Sequence, residues 1–205
     1  MRVSEDRYTR DLRRIHLAQR MMRQEVRTGW ICAWTGLTAD RVRNLYQSYA
    51  ASLKLKQRRR GPSPTRTLNF VESPLLHSEA SALAALAYRM GVIPAQPVQK
   101  PESVLVGLDL GERMCRTFEL YRRVIGGATL TMEHFILLVF ALAERTTLEL
   151  GRCEVCQGAL IVDRLGAVRR RCPPCRRGTP EPPLEEGPVD PSDNEPSAGG
   201  QQSLF

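Results

Sequence analysis

The sequence predicts a mainly α-helical protein that carries a small metal-binding module near its C-terminus. Apolar residues recur at helical spacing through most of residues 1–150. Two Cys-x-x-Cys pairs follow that region, within residues 151–177. Residues 178–205 contain many prolines and acids and few apolar side chains, so they cannot bury a core. We therefore expect a helical body, a metal module and a disordered acidic tail, with these three ranges as their boundaries.

The helical body is predicted to contain five helices. They cover residues 7–27, 38–49, 74–89, 104–124 and 132–150. The last of them, Met132–Leu150, is apolar around most of its circumference, so it must be buried. Its apolar run is too short to cross a bilayer. Either the core of this chain or a subunit interface could bury this helix, and the apolar surface of its neighbours favours an interface.

Residues 28–49 have the pattern of a helix-turn-helix motif. A short segment precedes the break at Gly36-Leu37, and Thr38 is the predicted N-cap of the helix that follows. The apolar face of this second helix, expected to be buried, carries Val42, Leu45, Tyr46 and Tyr49. Its polar face carries Ala39, Arg41, Arg43, Asn44 and Gln47. Arginine, asparagine and glutamine can read bases in the major groove, which favours a recognition helix. An ordinary helical hairpin with a solvated polar face is the alternative.

Four cysteines have the spacing of a zinc site. Cys153 and Cys156 form one Cys-x-x-Cys pair, and Cys172 and Cys175 form the other. Each pair brings two thiolates to the same ion from one tight turn, and Zn²⁺ prefers four such ligands in a tetrahedron. No histidine or carboxylate occupies a ligand position, so we expect one structural zinc ion per chain. A pair of disulfides and a thioredoxin-like redox pair are the alternatives.

Arginines surround the predicted zinc ligands. They are Arg152, Arg169, Arg170, Arg171, Arg176 and Arg177. Because a zinc ion with four thiolates carries a negative net charge, compensation of that charge is one explanation for these arginines. Their number exceeds that need, which favours a basic surface that binds phosphates.

The charge of the chain is unevenly distributed. Its net charge is +8. Six acids and no lysine or arginine lie in residues 178–205, so residues 1–177 carry 30 basic and 16 acidic side chains, a net charge of +14. A body this basic indicates a nucleic acid or another anionic partner. A basic linker supplies Arg58, Arg59 and Arg60, which we expect to contact backbone phosphates.

The side chains predicted to contact DNA lie in the second helix, in the linker and in the metal module. They are Thr38, Arg41, Arg43, Asn44, Gln47, Arg58, Arg59, Arg60, Arg169, Arg170 and Arg171. The three histidines, His16, His77 and His134, are scattered, and each is expected to be structural or at the surface. A scaffolding protein whose zinc module binds another protein, without touching DNA, is the alternative.

The sequence gives little support to an enzymatic role. It contains no nucleophile elbow, phosphate loop, paired-carboxylate pattern or dinucleotide fingerprint. The charged N-terminus lacks the apolar region of a signal peptide. We therefore expect a cytoplasmic binding protein that has no membrane span and is not an enzyme.

Five segments of the chain occur in the order found in a known family. They are Ile15-His-Leu-Ala-Gln-Arg-Met-Met, Leu37-Thr-Ala-Asp-Arg-Val-Arg-Asn-Leu-Tyr, the basic Gly61-Pro62 loop, Phe118-Glu-Leu-Tyr-Arg and the four cysteines. Together they resemble the FlhC family, the zinc-containing subunits of the bacterial flagellar master transcription activator. The resemblance covers about residues 10–177, and its most specific part is the cysteine quartet that follows a helical body.

The resemblance implies a cytoplasmic DNA-binding activator. Members of the family act in a hetero-oligomer with FlhD and recruit σ70 RNA polymerase to class II flagellar promoters. The family's zinc ligands correspond to Cys153, Cys156, Cys172 and Cys175. The implied role of residues 1–150 is DNA binding and oligomerisation. A related protein that regulates non-flagellar genes is the alternative within this class.

Overall fold

A computed structural model of the chain describes residues 2–49, 51, 63–166 and 169–177, with side chains from Arg7 onward. The described part is mainly helical and contains one two-stranded sheet. Its elements are α1 (Arg2–Arg23), α2 (Thr28–Thr35), α3 (Ala39–Tyr49), α4 (Asn69–Glu72), α5 (Pro74–Arg89), α6 (Pro101–Val104), α7 (Leu108–Val124), α8 (Met132–Glu144), β1 (Leu148–Arg152), β2 (Ala159–Asp163) and α9 (Pro173–Arg176). The mainly helical fold class is thereby confirmed.

Local sequence signals explain where α5 and α1 begin and end. Helix α5 has the predicted bounds, because the Ser73 hydroxyl accepts the Leu76 N–H at 3.1 Å and a proline occupies the first turn. Helix α1 was expected to continue to Arg27, but it ends at Arg23. Glu25 there adopts a left-handed φ of 59°, and the Val26 N–H bonds back to the Met21 carbonyl at 3.0 Å. These bonds form a Schellman cap, in which Glu25 takes the place that glycine usually holds.

Two of the predicted helices are shorter than expected. The helix predicted for residues 104–124 is interrupted at Gly107, whose φ is 103°, and α7 starts only at Leu108. The helix predicted for residues 132–150 ends at Glu144, because Arg145 adopts a left-handed φ of 56°. The prediction is wrong beyond that point, where the chain continues as β1. The boundary drawn between residues 150 and 151 therefore falls inside a strand.

Helix α8 lies at the centre of the core. Its buried residues are Met132, Glu133, Phe135, Ile136, Leu138, Val139, Ala141, Leu142 and Ala143. Phe135 stacks on Phe118 with ring centroids 6.0 Å apart, and Phe140 meets Trp30 edge-on at 5.1 Å. Helices α5 and α6 and strand β1 also pack against α8. This chain therefore buries α8 by itself, and the prediction that α8 forms a subunit interface is wrong.

Helices α1 and α7 pack side by side and run in the same direction. In the middle of α1, Arg13 contacts Asp109 in the first turn of α7 at 2.8 Å, and farther along Arg20 contacts Glu119 at 2.8 Å. Since Arg13 already meets the first turn of α7, the residues of α1 that precede Arg13 extend beyond the start of α7. The side chain of Tyr8 in this extension is 74% exposed.

The two strands connect the metal module to the helical body. Strand β2 pairs in antiparallel fashion with β1. At the outer edge of β2, the Ile161 N–H donates to Ser81 Oγ at 3.0 Å, and His77 Nε2 bonds the Ile161 carbonyl at 2.6 Å. Both side chains belong to α5, so the module packs directly on this helix.

Some predictions fall on residues that the structure does not describe. The linker arginines Arg58, Arg59 and Arg60 and the acidic tail at residues 178–205 lie outside the described ranges. Among the described helices, none combines the length and the apolar character that crossing a bilayer requires.

Candidate metal centre

The four predicted ligand cysteines converge on one point. The Sγ atoms of Cys153, Cys156, Cys172 and Cys175 all lie within 4.8 Å of one another, and none of the described cysteines forms a disulfide. Cys156 Sγ and Cys172 Sγ are 3.7 Å apart. A tetrahedral site with metal–sulfur bonds of ~2.3 Å has sulfur–sulfur edges of ~3.8 Å. The four cysteines can therefore hold one metal ion.

The first cysteine pair is positioned by the turn that connects β1 to β2. The Cys153 N–H donates to the Gly158 carbonyl at 2.8 Å, and the Gln157 N–H donates to the Cys153 carbonyl at 2.9 Å. Gln157 adopts a left-handed φ of 57° to close this turn. A Cβ atom at Gly158 would lie 3.3 Å from Cys156 Sγ. Glycine at this position therefore leaves room for the sulfur.

The second cysteine pair is positioned by the short helix α9. Cys172 is its N-cap residue, Pro173 and Pro174 form its first turn, and Cys175 follows one turn after Cys172. The Glu154 N–H donates to the Arg170 carbonyl at 3.0 Å and ties the two cysteine segments together. The local turns thus direct the sulfur atoms of each pair toward a common centre, and this backbone hydrogen bond holds the two pairs next to each other.

The electrostatics of the cluster favour a cation. Burial raises the pKa of the Cys153 thiol, but the backbone N–H groups of Cys156 and Cys172 outweigh burial and lower this pKa to about 6. The Cys172 N–H donates to Cys153 Sγ at 3.3 Å. The hydrogen bond to Cys172, together with burial, raises the pKa of Cys175 to about 12. Cys153 is therefore stabilised as a thiolate, whereas ionisation of Cys175 beside it is unfavourable. A bound metal ion removes this conflict, because its positive charge stabilises neighbouring thiolates together.

The arginines around the cluster differ in their surroundings. Arg170 forms an ion pair with Glu154 at 3.5 Å. Arg176 is half-buried, and its guanidinium donates to His77 Nδ1 at 3.3 Å. No ion pair with a described residue is recorded for the other four, Arg152, Arg169, Arg171 and Arg177. These arginines leave positive charge on the surface of the module.

The predicted DNA-contacting residues of α3 all lie on its exposed side. Arg41, Arg43, Asn44 and Gln47 are exposed, and the Thr38 hydroxyl accepts the Arg41 N–H at 3.3 Å, as an N-cap does. Arg43 pairs with Asp40 at 2.6 Å. Asp40 therefore offsets one positive charge on this face, an effect that composition alone does not reveal.

The apolar face of α3 is only partly buried. Val42 is fully buried, whereas Leu45 and Tyr46 are half-buried. Tyr49 is 37% exposed, so the prediction of a buried stripe is wrong at its last position.

Two of the three histidines have the structural roles expected of them. His77 bridges Ile161 and Arg176, and the His134 ring completes the capping box at the start of α8 with Thr131. His16 is exposed. The contact between His77 and the metal module could not be predicted from the sequence, because its partners Ile161 and Arg176 lie far along the chain.

Comparison of the sequence with protein-family models found no match, and comparison with curated proteins found none either. We therefore infer the function of the chain from its own residues and geometry.

Proposed function

We propose that this chain is a DNA-binding transcriptional activator of the FlhC type, in which α2 and α3 act as a helix-turn-helix. The observation that carries the proposal is the outward face of α3, where Arg41, Asn44 and Gln47 are all exposed. Helix α3 follows the short helix α2 after only Gly36–Thr38. An exposed polar helix held in this way has the side chains that major-groove recognition requires.

Zinc is the metal that we propose for the cysteine cluster. A tetrathiolate site suits Zn²⁺, and no carboxylate or imidazole group of the described residues belongs to the cluster. With four protein ligands and no open position, the ion would be structural. It would hold Arg169, Arg170 and Arg171 beside Cys172, where they would contact backbone phosphates. A net charge of +14 in residues 1–177 supports this role, because counterion release favours the binding of a basic body to DNA.

An FlhD-like protein is the partner that the family resemblance suggests, and we propose that it binds the N-terminal part of α1. Tyr8 and Leu12 lie one turn apart there and are 74% and 42% exposed. The segment also extends beyond the start of α7, so one side of it is available to a second chain. In this proposal the assembled complex works in the cytoplasm and recruits RNA polymerase to promoter DNA. The promoters are flagellar, or belong to other genes if the chain is a divergent relative.

The experiment that tests DNA recognition is selection of duplexes from a random pool with the zinc-loaded chain. We expect an enriched sequence, because bidentate contacts to bases contribute roughly 1–3 kcal/mol each. Arg41→Ala would relax the preference at one position of that sequence. Arg116→Ala on the exposed side of α7 removes the same charge elsewhere and is the matched control. A pool that stays random, or equal effects of both substitutions, would reject the assignment of α3.

Removal of the acidic partner in the ion pair on α3 should increase the affinity for DNA, which is the opposite of the effect expected for loss of an arginine. Asp40→Asn removes a negative charge that faces outward and leaves Arg43 without its partner. We expect binding to random duplex DNA to become several-fold tighter at low salt, because repulsion between Asp40 and phosphate is lost. Asp109→Asn near the start of α7 is the control. No change in the affinity of the Asp40 variant, or the same change in both variants, would mean that α3 faces away from DNA.

A further inference from the structure

The hydrogen-bond register of the hairpin fixes which backbone groups point outward. In an antiparallel ladder, hydrogen-bonded pairs alternate with non-hydrogen-bonded pairs. Cys153 donates to Gly158 at 2.8 Å at one end, and Arg164 donates to Thr147 at 3.0 Å at the other. The non-hydrogen-bonded pairs between them are Leu148–Asp163, Leu150–Ile161 and Arg152–Ala159. The N–H and C=O groups of these residues therefore point away from the partner strand.

The two outer edges of the hairpin have different environments. On β2, Ser81 Oγ and His77 bind the outward N–H and C=O groups of Ile161. On β1, no group among the described residues is recorded as a hydrogen-bond partner for the outward backbone of Leu150 or Arg152. Unpaired edge groups of this kind are a template for another strand. The edge of β1 is thus open, without hydrogen-bond partners among the described residues, whereas the edge of β2 is paired with side chains of α5.

Residues of β1 line a groove of about 710 Å³, together with residues from the C-terminal ends of α5 and α8. Apolar side chains of Ile93, Leu142 and Leu150 line it, and Tyr88, which is 60% exposed, stands at its rim. This size lies within the range of roughly 300–1,000 Å³ that is typical of binding sites. The groove has room for apolar side chains that alternate along a strand.

The charge of the groove is positive. Arg89, Arg145 and Arg152 line it, and Glu149 is the one acid among the described residues that line it. Glu149 itself lies 3.8 Å from Arg164. The guanidinium of Arg145 donates to the Ala95 carbonyl and forms no ion pair with a described residue. The net positive charge favours an acidic occupant and opposes pairing of β1 with a second copy of the same edge, which would bring like charges together.

We propose that this groove binds an extended acidic segment of a partner protein by strand addition to β1. The backbone of the segment would pair with Leu150 and Arg152, its acidic side chains would meet the three arginines, and its apolar side chains would enter the groove. Because Gln157 and Ala159 also line the groove, the metal module helps to shape it. This binding is independent of the proposed recognition of DNA by α3.

A synthetic probe tests this inference on the full zinc-loaded chain. The probe is a fluorescein-labelled octapeptide, Thr-Val-Thr-Asp-Thr-Val-Thr-Asp, which presents valine and aspartate on one face, and the control replaces aspartate with lysine. We expect saturable binding of the acidic peptide and none of the basic one. Hydrogen exchange measured by NMR should show new protection at the amides of Leu150 and Arg152, whereas Glu149 and Gly151 are protected beforehand by pairing with β2.

Variants of both partners separate strand addition from simple charge attraction. Peptides that are N-methylated on every threonine, or on every valine and aspartate, should differ, since only one set of amides faces β1. Arg89→Glu should weaken binding about tenfold or more, whereas Arg116→Glu, with the same change of charge on α7, should have little effect. Equal effects of the two substitutions, or equal binding of the two methylated peptides, would overturn the proposal.

Two further outcomes would also overturn it. Protection of Leu150 and Arg152 before any peptide is added would mean that this chain's own acidic residues after Gly178 occupy the groove. Competition by single-stranded DNA, together with no binding of the acidic peptide, would assign the groove to nucleic acid.

Discussion

At the scale of single residues, His77 couples the metal module to the helical body. Its Nε2 bonds the Ile161 carbonyl and its Nδ1 accepts from Arg176, so the neutral ring with a proton on Nε2 satisfies both contacts. Burial lowers the pKa of His77 from its ordinary value of 6.5, and the charge of Arg176 lowers it further. A neutral histidine is thus required where α5 meets β2.

This environment predicts a pH dependence of stability. Below pH 6.5 the unfolded chain binds a proton at His77 that the folded chain does not, so the free energy of unfolding falls as the pH decreases. His77→Gln retains a donor for the Ile161 carbonyl and removes the titration. We expect a smaller loss of stability in the variant than in the wild type when urea unfolding is measured between about pH 7 and pH 5.5. Zinc release at acid pH affects both chains alike, so parallel curves would contradict this role.

At the scale of secondary-structure elements, Gly111 permits the close packing of α7 on α1 and α2. A Cβ atom at this position would lie 2.7 Å from Leu17 Cδ2 and 3.0 Å from Trp34 Cβ. Leu17 can move its side-chain end, but Trp34 Cβ is fixed to its backbone. The glycine therefore brings the helices together at the expense of helix propensity.

Substitution of this glycine should destabilise the fold. Gly111→Ala gains about 1 kcal/mol of helix propensity, but we expect a net loss of up to about 2 kcal/mol, because overpacking a core costs ~1–3 kcal/mol. The matched control is Gly29→Ala in α2, where an added Cβ meets nothing within 4 Å. That variant should be neutral or more stable in the same chemical unfolding measurement. A stabilised Gly111 variant would show that α1 and α7 are not tightly packed.

Elements with strong local signals could be predicted from the sequence. Ser73 and Pro74 mark the start of α5, and the two Cys-x-x-Cys pairs mark the metal site. The ends of α1 and α8 could not be predicted, because Glu25 and Arg145 adopt left-handed conformations without the glycine that usually signals them. Strand β1 was assigned to a helix because its apolar residues continue the pattern of α8 without a break.

Contacts between distant parts of the chain left no pattern in the sequence. Ser81 and His77 reach Ile161 across 80 and 84 positions of the chain. The alternation of residues in β1 does not reveal that one edge of the strand remains open. The metal site was therefore predictable from its ligands, whereas its attachment to α5 and the groove beside it required the structure.

At the scale of the whole molecule, the metal should stabilise more than its own module. Cys156→Ser should abolish stoichiometric binding of zinc, because a tetrathiolate site needs all four ligands. We expect the helical circular dichroism signal to persist and the unfolding temperature to fall, since β2 and α9 cover one side of α5. Chelation of zinc from the wild type should have the same effect. Cys32→Ser, outside the cluster, is the control.

If chelation left the unfolding temperature unchanged, the cysteine cluster would not be a metal site. X-ray absorption on the zinc-loaded wild type provides a second check, because it should detect sulfur ligands only, at ~2.3 Å.

The measurement that tests the proposed function most directly is the salt dependence of binding to duplex DNA. Fluorescence anisotropy with the zinc-loaded chain, and with its partner if one is identified, gives the affinity over a range of ionic strength. We predict a steep linear fall of log K with log salt, with a slope of about −0.9 for each phosphate contacted. Replacing Arg169, Arg170 and Arg171 with serine should make that slope shallower. Absence of binding at low salt, or binding that does not depend on salt, would contradict the proposal that this chain acts on DNA.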